Sequence, residues 1–176
     1  MSLPRRYWDS SAFLAWLLPE PDREDACRSV LRAAEEGEIE IVTSALTLTE
    51  VIKLKGKPEL KREQEKKIAE FFQNEYIIVR NVDRFVALSA QRLVWDQNLA
   101  AKDSIHVATA LRYKIPVLDT FDDQLIGLSG KLPFDAGNPT SPMLQITHPH
   151  IQEQLSLLDQ KTEPEQDNND EDSEER

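Results

Sequence analysis

The feature that most constrains this chain is a regular alternation of strand-like and helix-like segments. Short apolar segments with the composition of strands lie at residues 6–8, 38–43, 76–79 and 116–119. Between them lie segments with the apolar spacing of helices, at residues 11–18, 23–35, 45–55, 59–73, 82–95 and 104–113. A short helix at 124–128 and a further strand at 143–147 would follow. Alternation of this kind is typical of βαβ units, so the sequence predicts an α/β fold around a parallel sheet.

Composition indicates one domain with an appendage that does not cross a membrane. The 176 residues are enough for one buried core, and no segment approaches the roughly 20 apolar residues that span a bilayer. Cys27 is the single cysteine, which excludes an internal disulfide and a site built from several thiolates. A chain without disulfides fits a reducing compartment, and we therefore expect a cytoplasmic protein.

Charge is distributed unevenly along the chain. Residues 161–176 carry eight acidic and two basic side chains, a net charge of −6, which leaves −5 of the total of −11 for the rest. We therefore divide the chain into a domain at residues 1–150 and an acidic extension at 151–176, with disorder expected after about residue 158. Because the domain itself is only mildly acidic, its charge argues weakly against a polyanionic partner.

Several acids fall where the strands of a parallel sheet would end. Asp9 directly follows the first strand, and Asp119, Asp122 and Asp123 lie at the end of the last strand of the main alternation. Ligand sites of open parallel sheets lie beyond the carboxyl ends of the strands. Each of these acids is also a good helix N-cap or turn residue, and this alternative stays open for each one taken alone.

Two further acids lie on helices. Glu50 interrupts an apolar stripe between Leu46 and Leu54, where a charge is costly unless it is paired or bound to a metal. Asp103 opens a helix on which His106 lies one turn later. The alternatives are a boundary position for Glu50, an N-cap role for Asp103 and simple packing for His106.

Taken together, the acids indicate a cation site. Four segments each place a carboxylate near one edge of the predicted sheet, and Lys102 is the one basic residue within these motifs. Carboxylates gathered without partners repel one another, and hard cations such as Mg²⁺ or Mn²⁺ relieve that repulsion.

Four motifs, in order, resemble those of the PIN-domain family. They are WDSSAFL with Asp9 and Ser11, TLTEV with Glu50, KDSIHVATA with Asp103, and LDTFDD with Thr120 and Asp122. The resemblance implies a three-layer α/β/α sandwich around a parallel sheet. It also implies an endoribonuclease that uses Mg²⁺ or Mn²⁺, commonly the dimeric VapC-type toxin of a pair, with an antitoxin protein as its partner.

Carried over to these positions, the resemblance assigns catalysis and metal binding to Asp9, Glu50, Asp103 and Asp122. Ser11, Thr120 and His106 would orient the carboxylates, the water or the phosphate. Asp123 and Asp119 are the alternatives for the fourth acid. Residues 53–67 hold seven basic and three acidic side chains, which could follow an RNA backbone or simply form a solvated helix.

Two other functions fit parts of the pattern. An inactive PIN-like module would keep the acids and serve only as a binding partner. A haloacid-dehalogenase-like phosphatase also opens with an aspartate after a strand, but it requires a second acid where this chain has Ser11. The sequence therefore favours a nuclease.

Overall fold

The computed structural model describes residues 2–18, 21–53, 56 and 58–151, excluding the side chain of Pro21. Five strands form one fully parallel sheet in the order β3-β2-β1-β4-β5. They are β1 (Arg5–Trp8), β2 (Glu40–Ser44), β3 (Ile77–Arg80), β4 (Val117–Asp119) and β5 (Gln145–Thr147). The parallel sheet and the fifth strand predicted after the main alternation are both confirmed.

Strand β1 lies at the centre of the sheet because its neighbours cover both of its edges. Tyr7 is paired with Val42 of β2 and with Leu118 of β4. Tyr7 and the next residue, Trp8, are both fully buried, but they belong to two different apolar cores. Since successive side chains of a strand point to opposite faces, the sheet separates these two cores.

Helices cover both faces of the sheet, as the predicted sandwich requires. The elements are α1 (Ser10–Leu17), α2 (Pro21–Glu35), α3 (Thr47–Glu50), α4 (Glu65–Phe71), α5 (Arg84–Gln97), α6 (Ala101–Arg112) and α7 (Asp123–Ile126). Residues of α1, α2 and α4 share the core of Trp8, and residues of α5 and α6 share the core of Tyr7. Among the described residues, no helix has the length and apolar character needed to cross a membrane.

Three helices differ from the prediction in ways that affect the residues near the site or the basic segment. The helix predicted at 45–55 is the single turn α3, and Gly56 beyond it adopts a φ of 82°, which is left-handed. The helix predicted at 59–73 begins with a 3₁₀ turn at Arg62–Gln64 and continues as α4. Helix α6 begins at Ala101, so Asp103 lies within its first turn and not at its cap.

The order of the elements brings distant segments to one edge of the sheet. Helix α1 follows the carboxyl end of β1, α3 follows that of β2, and α7 follows that of β4. The first turn of α6 carries Asp103 toward the same edge, where the acid interacts electrostatically with Asp9. The candidate site is built from these four segments.

Candidate active site at the carboxyl edge of the sheet

Asp9 is a buried acid held by neutral donors. It caps α1 by accepting a hydrogen bond from the amide of Ala12 at 3.0 Å. Ser11 donates to its Oδ1 at 2.7 Å, and Thr120 donates to its Oδ2 at 2.6 Å. Capping α1 therefore does not prevent Asp9 from also serving in the site, although the sequence offered these two roles as alternatives.

Thr120 links Asp9 to the segment that follows β4. Its Oγ1 also accepts a hydrogen bond from the amide of Asp122 at 3.0 Å. Asp122 in turn caps α7 by accepting from the amides of Gln124 and Leu125 at 2.8 and 3.2 Å. Asp122 thus takes the capping position that Asp123 could have taken, and Asp123 is exposed as the first residue of α7.

Glu50 is also buried, but its donors differ from those of Asp9. Ser10 donates to Oε2 at 2.6 Å, His106 contacts the same oxygen through Nε2 at 2.7 Å, and Lys102 lies 3.1 Å from Oε1. Burial raises the pKa of Glu50, but the hydrogen bonds from His106, Ser10 and Lys102, with the charge of His106, outweigh burial and hold the pKa at about 2. Glu50 is therefore ionised at neutral pH.

A buried tyrosine supports the histidine that holds Glu50. The hydroxyl of Tyr7 lies 2.8 Å from Nδ1 of His106. Because an ionised carboxylate only accepts hydrogen bonds, His106 must donate to Glu50 from Nε2. Burial raises the pKa of Tyr7, so this hydroxyl stays protonated.

Asp103 meets other acids. Among the described residues, none donates a hydrogen bond to its half-buried carboxylate. Burial raises the pKa of Asp103, and the negative charges of Asp122, Asp9 and Glu50 raise it further, while His106 opposes them. Asp103 therefore lies within electrostatic range of all three acids.

The carboxylate of Asp119 accepts its hydrogen bonds from residues outside the group of four acids. Its fully buried carboxylate accepts from Nε of Arg6 at 2.8 Å and from the indole of Trp8 at 3.1 Å. Burial raises the pKa of Asp119 to about 6, although Arg6 and Trp8 oppose that change. Asp119 therefore lies under the site in a buried ion pair.

The match to a known family accounts for this arrangement. The family model described as the PIN domain matches residues 6–131, which is most of the chain. The chain belongs to the PIN-domain family. This match spans all four segments that supply the acids, and no curated protein sequence matches the chain.

Two solved structures are similar to this chain, and one of them supports the fold. The toxin VapC20 of Mycobacterium tuberculosis, described as cleaving the sarcin–ricin loop, has a TM-score of 0.51 at 16% identity, over 66% of this chain and 89% of that chain. A toxin–antitoxin complex from Klebsiella pneumoniae has a TM-score of 0.47 at 17% identity, over 66% and 86%. At this identity, the likeness to VapC20 concerns the fold.

The donor set of the PIN domain fits a hard cation in its chemistry. Asp9, Glu50, Asp103 and Asp122 offer carboxylate oxygens, which Mg²⁺ and Mn²⁺ prefer. As they stand, no three Asp, Glu, His or Cys side chains in the described part of the chain are grouped closely enough to hold a metal ion. The raised pKa of Asp103 nevertheless reflects negative charge that a cation would neutralise.

Three contacts at the site were absent from the sequence prediction. They involve Tyr7, Ser10 and the pairing of Lys102 with Glu50. A buried tyrosine in the strand before Asp9 was the available signal for Tyr7, but its partner on α6 depends on the packing of two distant segments.

Proposed function

We propose that this PIN-domain protein is a metal-dependent endoribonuclease that hydrolyses RNA phosphodiester bonds. The observation that carries the proposal is the gathering of four acids from four segments at one edge of the sheet, all within the part of the chain that the PIN-domain model matches: Asp9, Glu50, Asp103 and Asp122. Together these four acids concentrate negative charge at that edge, and no described residue donates a hydrogen bond to Asp103. Such a concentration is costly in a protein without a cationic ligand.

We assign the binding of Mg²⁺ or Mn²⁺ to Asp9, Glu50, Asp103 and Asp122. When bound, the ion supplies a more acidic water and an electrostatic partner for the charge that develops on phosphate oxygens. Ser11 and Thr120 orient Asp9 through their hydroxyls, and His106 orients Glu50 through Nε2. These hydrogen bonds restrict the rotation of the carboxylates, so less ordering remains when a cation and an RNA strand bind.

Lys102 would have a second role in this scheme. Its side chain is 59% exposed and lies 3.1 Å from Glu50, so its ammonium group remains in solvent when it leaves the carboxylate. With Glu50 serving as a ligand of the cation, Lys102 would be able to contact the phosphates of the substrate. An ammonium group is a suitable point charge for a phosphodiester.

We also propose that the protein is the toxin of a toxin–antitoxin pair and acts in the cytoplasm as a homodimer. The PIN-domain family and the fold shared with the toxin VapC20 support the toxin role. Exposed apolar side chains on α5 (Phe85, Leu88 and Trp95) supply a surface that a second copy could cover. Sedimentation equilibrium of the wild type and of Trp95→Glu tests the dimer, and co-purification with the product of a neighbouring gene tests the antitoxin.

The proposed activity is tested with purified protein and single-stranded RNA in Mg²⁺, in Mn²⁺ and in EDTA. We expect cleavage that requires the metal and falls at least about 100-fold in Asp9→Asn and in Asp103→Asn. Asp123→Asn is the matched control, since Asp123 is exposed on the same segment as Asp122. Equal cutting by wild type and both site variants would refute the site, and an intact RNA with folded wild type would favour an inactive binding module.

A further inference from the structure

An aromatic pair adjoins the carboxylates and takes no part in the scheme above. The rings of Phe121 and His148 are stacked, with centroids 5.4 Å apart and planes inclined by 29°. The guanidinium of Arg23 lies 5.2 Å from the centroid of Phe121. Phe121 is half-buried against the core of Trp8, whereas His148 is exposed. The His148 ring is therefore exposed to solvent and stacked on the ring of Phe121, which packs against the core.

The orientation of the His148 ring is set by a hydrogen bond. Nδ1 of His148 lies 3.2 Å from the carbonyl oxygen of Thr120. Since a carbonyl only accepts, Nδ1 must carry the proton and donate it. The bond and the stacking with Phe121 together restrict both the tilt and the rotation of the ring.

The same residues connect the pair to Asp9. Thr120 donates to Asp9 through its Oγ1 at 2.6 Å, while its carbonyl receives His148. The amide of Phe121 donates to Ser11 at 2.9 Å, and Ser11 donates to Asp9. Each residue of the pair is thus connected through two hydrogen bonds and one intervening residue to the carboxylate that we assign to the metal.

The chain after β5 brings His148 to this position. Beyond His148, the amide of Ile151 donates to Ser29 of α2 at 3.1 Å, and the Ile151 side chain packs against the core of Trp8. The segment is therefore fixed at both ends, by β5 and by α2. It lies outside the part of the chain that the PIN-domain model matches, which ends at residue 131.

We propose that His148, stacked on Phe121, is a binding platform for one base of a single-stranded RNA next to the phosphodiester that is cut. This inference rests on the proposed function. Flat rings that are held rigidly and exposed on one side are suited to stacking with a base, and such stacking tolerates any base identity.

The test is the binding of single-stranded RNA that carries 2-aminopurine at successive positions, measured in EDTA so that no strand is cut. Stacking quenches 2-aminopurine fluorescence, so wild type should quench the probe strongly at one position. His148→Ala should lose that quenching and bind about tenfold more weakly, whereas His148→Phe should retain the stacking. His150→Ala is the matched control, since His150 is exposed two residues further on and should leave binding unchanged.

A second probe separates the base from the backbone. RNA with an abasic residue at the quenched position should bind His148→Ala and wild type equally, because the phosphates are the same in both strands. The platform is refuted if His148→Ala quenches and binds as wild type does, or if it weakens normal and abasic RNA to the same degree. Thermal unfolding of each variant identifies any loss that arises from misfolding.

This outcome is independent of the proposed cleavage. If metal-dependent cutting is lost in Asp9→Asn but His148→Ala quenches the probe as wild type does, the platform is refuted and the nuclease proposal is not. If wild type quenches the probe strongly but does not cut RNA under any metal condition, the proposed nuclease activity is refuted and the base-binding site stands.

Discussion

Asp9 and Glu50 are buried acids at the same edge of one sheet, yet their surroundings are different. The donors to Asp9 are the hydroxyls of Ser11 and Thr120 and one backbone amide, all of them neutral. Glu50 receives hydrogen bonds from Ser10 and His106 and forms an ion pair with Lys102. We refer to these as the Asp9 half and the Glu50 half of the site.

The difference shows how the site can fold before a cation binds. In the Glu50 half, a resident ammonium group offsets the carboxylate charge. In the Asp9 half, hydrogen bonds orient the carboxylate but leave its charge in place, and Asp103 adds a further acid. The negative charge that remains is therefore concentrated at Asp9, Asp103 and Asp122, which is the charge that would attract a divalent ion.

The largest expected effect concerns the pH dependence of the Glu50 half. The pKa of Glu50 is lowered from 4.5 to about 2 in the folded protein, so the unfolded chain binds the proton more tightly. Its contribution to stability is complete above the unfolded value and is lost as the pH falls through the folded value. Urea unfolding in EDTA should show an advantage of wild type over Glu50→Gln that falls by about 3 kcal/mol from pH 6 to pH 2.

Asp119 provides a check on the sign of that effect. Its pKa is raised to about 6 in the folded protein, so its contribution changes the other way and stability falls as the pH rises from about 4 to 6. Both wild type and Glu50→Gln contain Asp119, and its contribution cancels in their difference. A stability difference between wild type and Glu50→Gln that does not change with pH would contradict the lowered pKa of Glu50.

The next effect concerns the Asp9 half. Thr120→Val keeps the shape of the fully buried side chain but removes the donor to Asp9 and the acceptor for the amide of Asp122. We expect the free energy of unfolding in EDTA to fall by about 2 kcal/mol, because a buried carboxylate loses a charge-assisted bond. Thr120→Ser retains the hydroxyl and should be close to wild type, and equal losses in both variants would assign the effect to packing instead.

A smaller effect is expected from the tyrosine behind the Glu50 half. Tyr7→Phe removes the hydroxyl that contacts Nδ1 of His106 and should cost about 1 kcal/mol in chemical denaturation. Tyr113→Phe serves as the control, because the Tyr113 hydroxyl makes no hydrogen bond to the described residues. If Tyr113→Phe destabilised the protein as much as Tyr7→Phe, the support of His106 by Tyr7 would be wrong.

The smallest effect on stability is expected for Lys102. Its ion pair with Glu50 is largely exposed on the lysine side, so Lys102→Gln should change the free energy of unfolding by less than about 1 kcal/mol. Removing the ammonium group from Glu50 should instead strengthen Mn²⁺ binding by a few-fold, measured by isothermal titration calorimetry. Lys66→Gln, which removes an exposed lysine from a pair with Glu70, should leave Mn²⁺ binding unchanged.

Much of the fold follows from local sequence, and the contacts of the site follow from it only in part. The apolar strand-like segments predict the parallel sheet because each is buried on both faces, as Tyr7 and Trp8 of β1 show. Asp9 and Asp122 are recognisable because each directly follows a strand or precedes a helix. Position along the chain is sufficient to bring such residues to one edge of the sheet.

The partners of Glu50 could not be predicted in this way. Lys102 and His106 reach Glu50 from α6, more than 50 positions away, and their contact depends on how α3 and α6 meet at the carboxyl edge of the sheet. The prediction of a long helix at 45–55 was wrong because the helix ends after one turn, at Glu50 itself. Apolar periodicity extends past that point in the sequence, but it does not reveal where the chain turns.

The most direct test of the account is whether the two halves bind one and the same ion centre. Mn²⁺ binding, measured by electron paramagnetic resonance, should be lost or weakened at least about tenfold in each of Asp9→Asn, Glu50→Gln and Asp103→Asn, and it should persist in Asp123→Asn. The double variant Asp9→Asn with Glu50→Gln should bind Mn²⁺ no more tightly than the weaker of the two single variants, since both carboxylates belong to one centre. Wild-type affinity in Asp9→Asn or in Asp103→Asn would contradict the account.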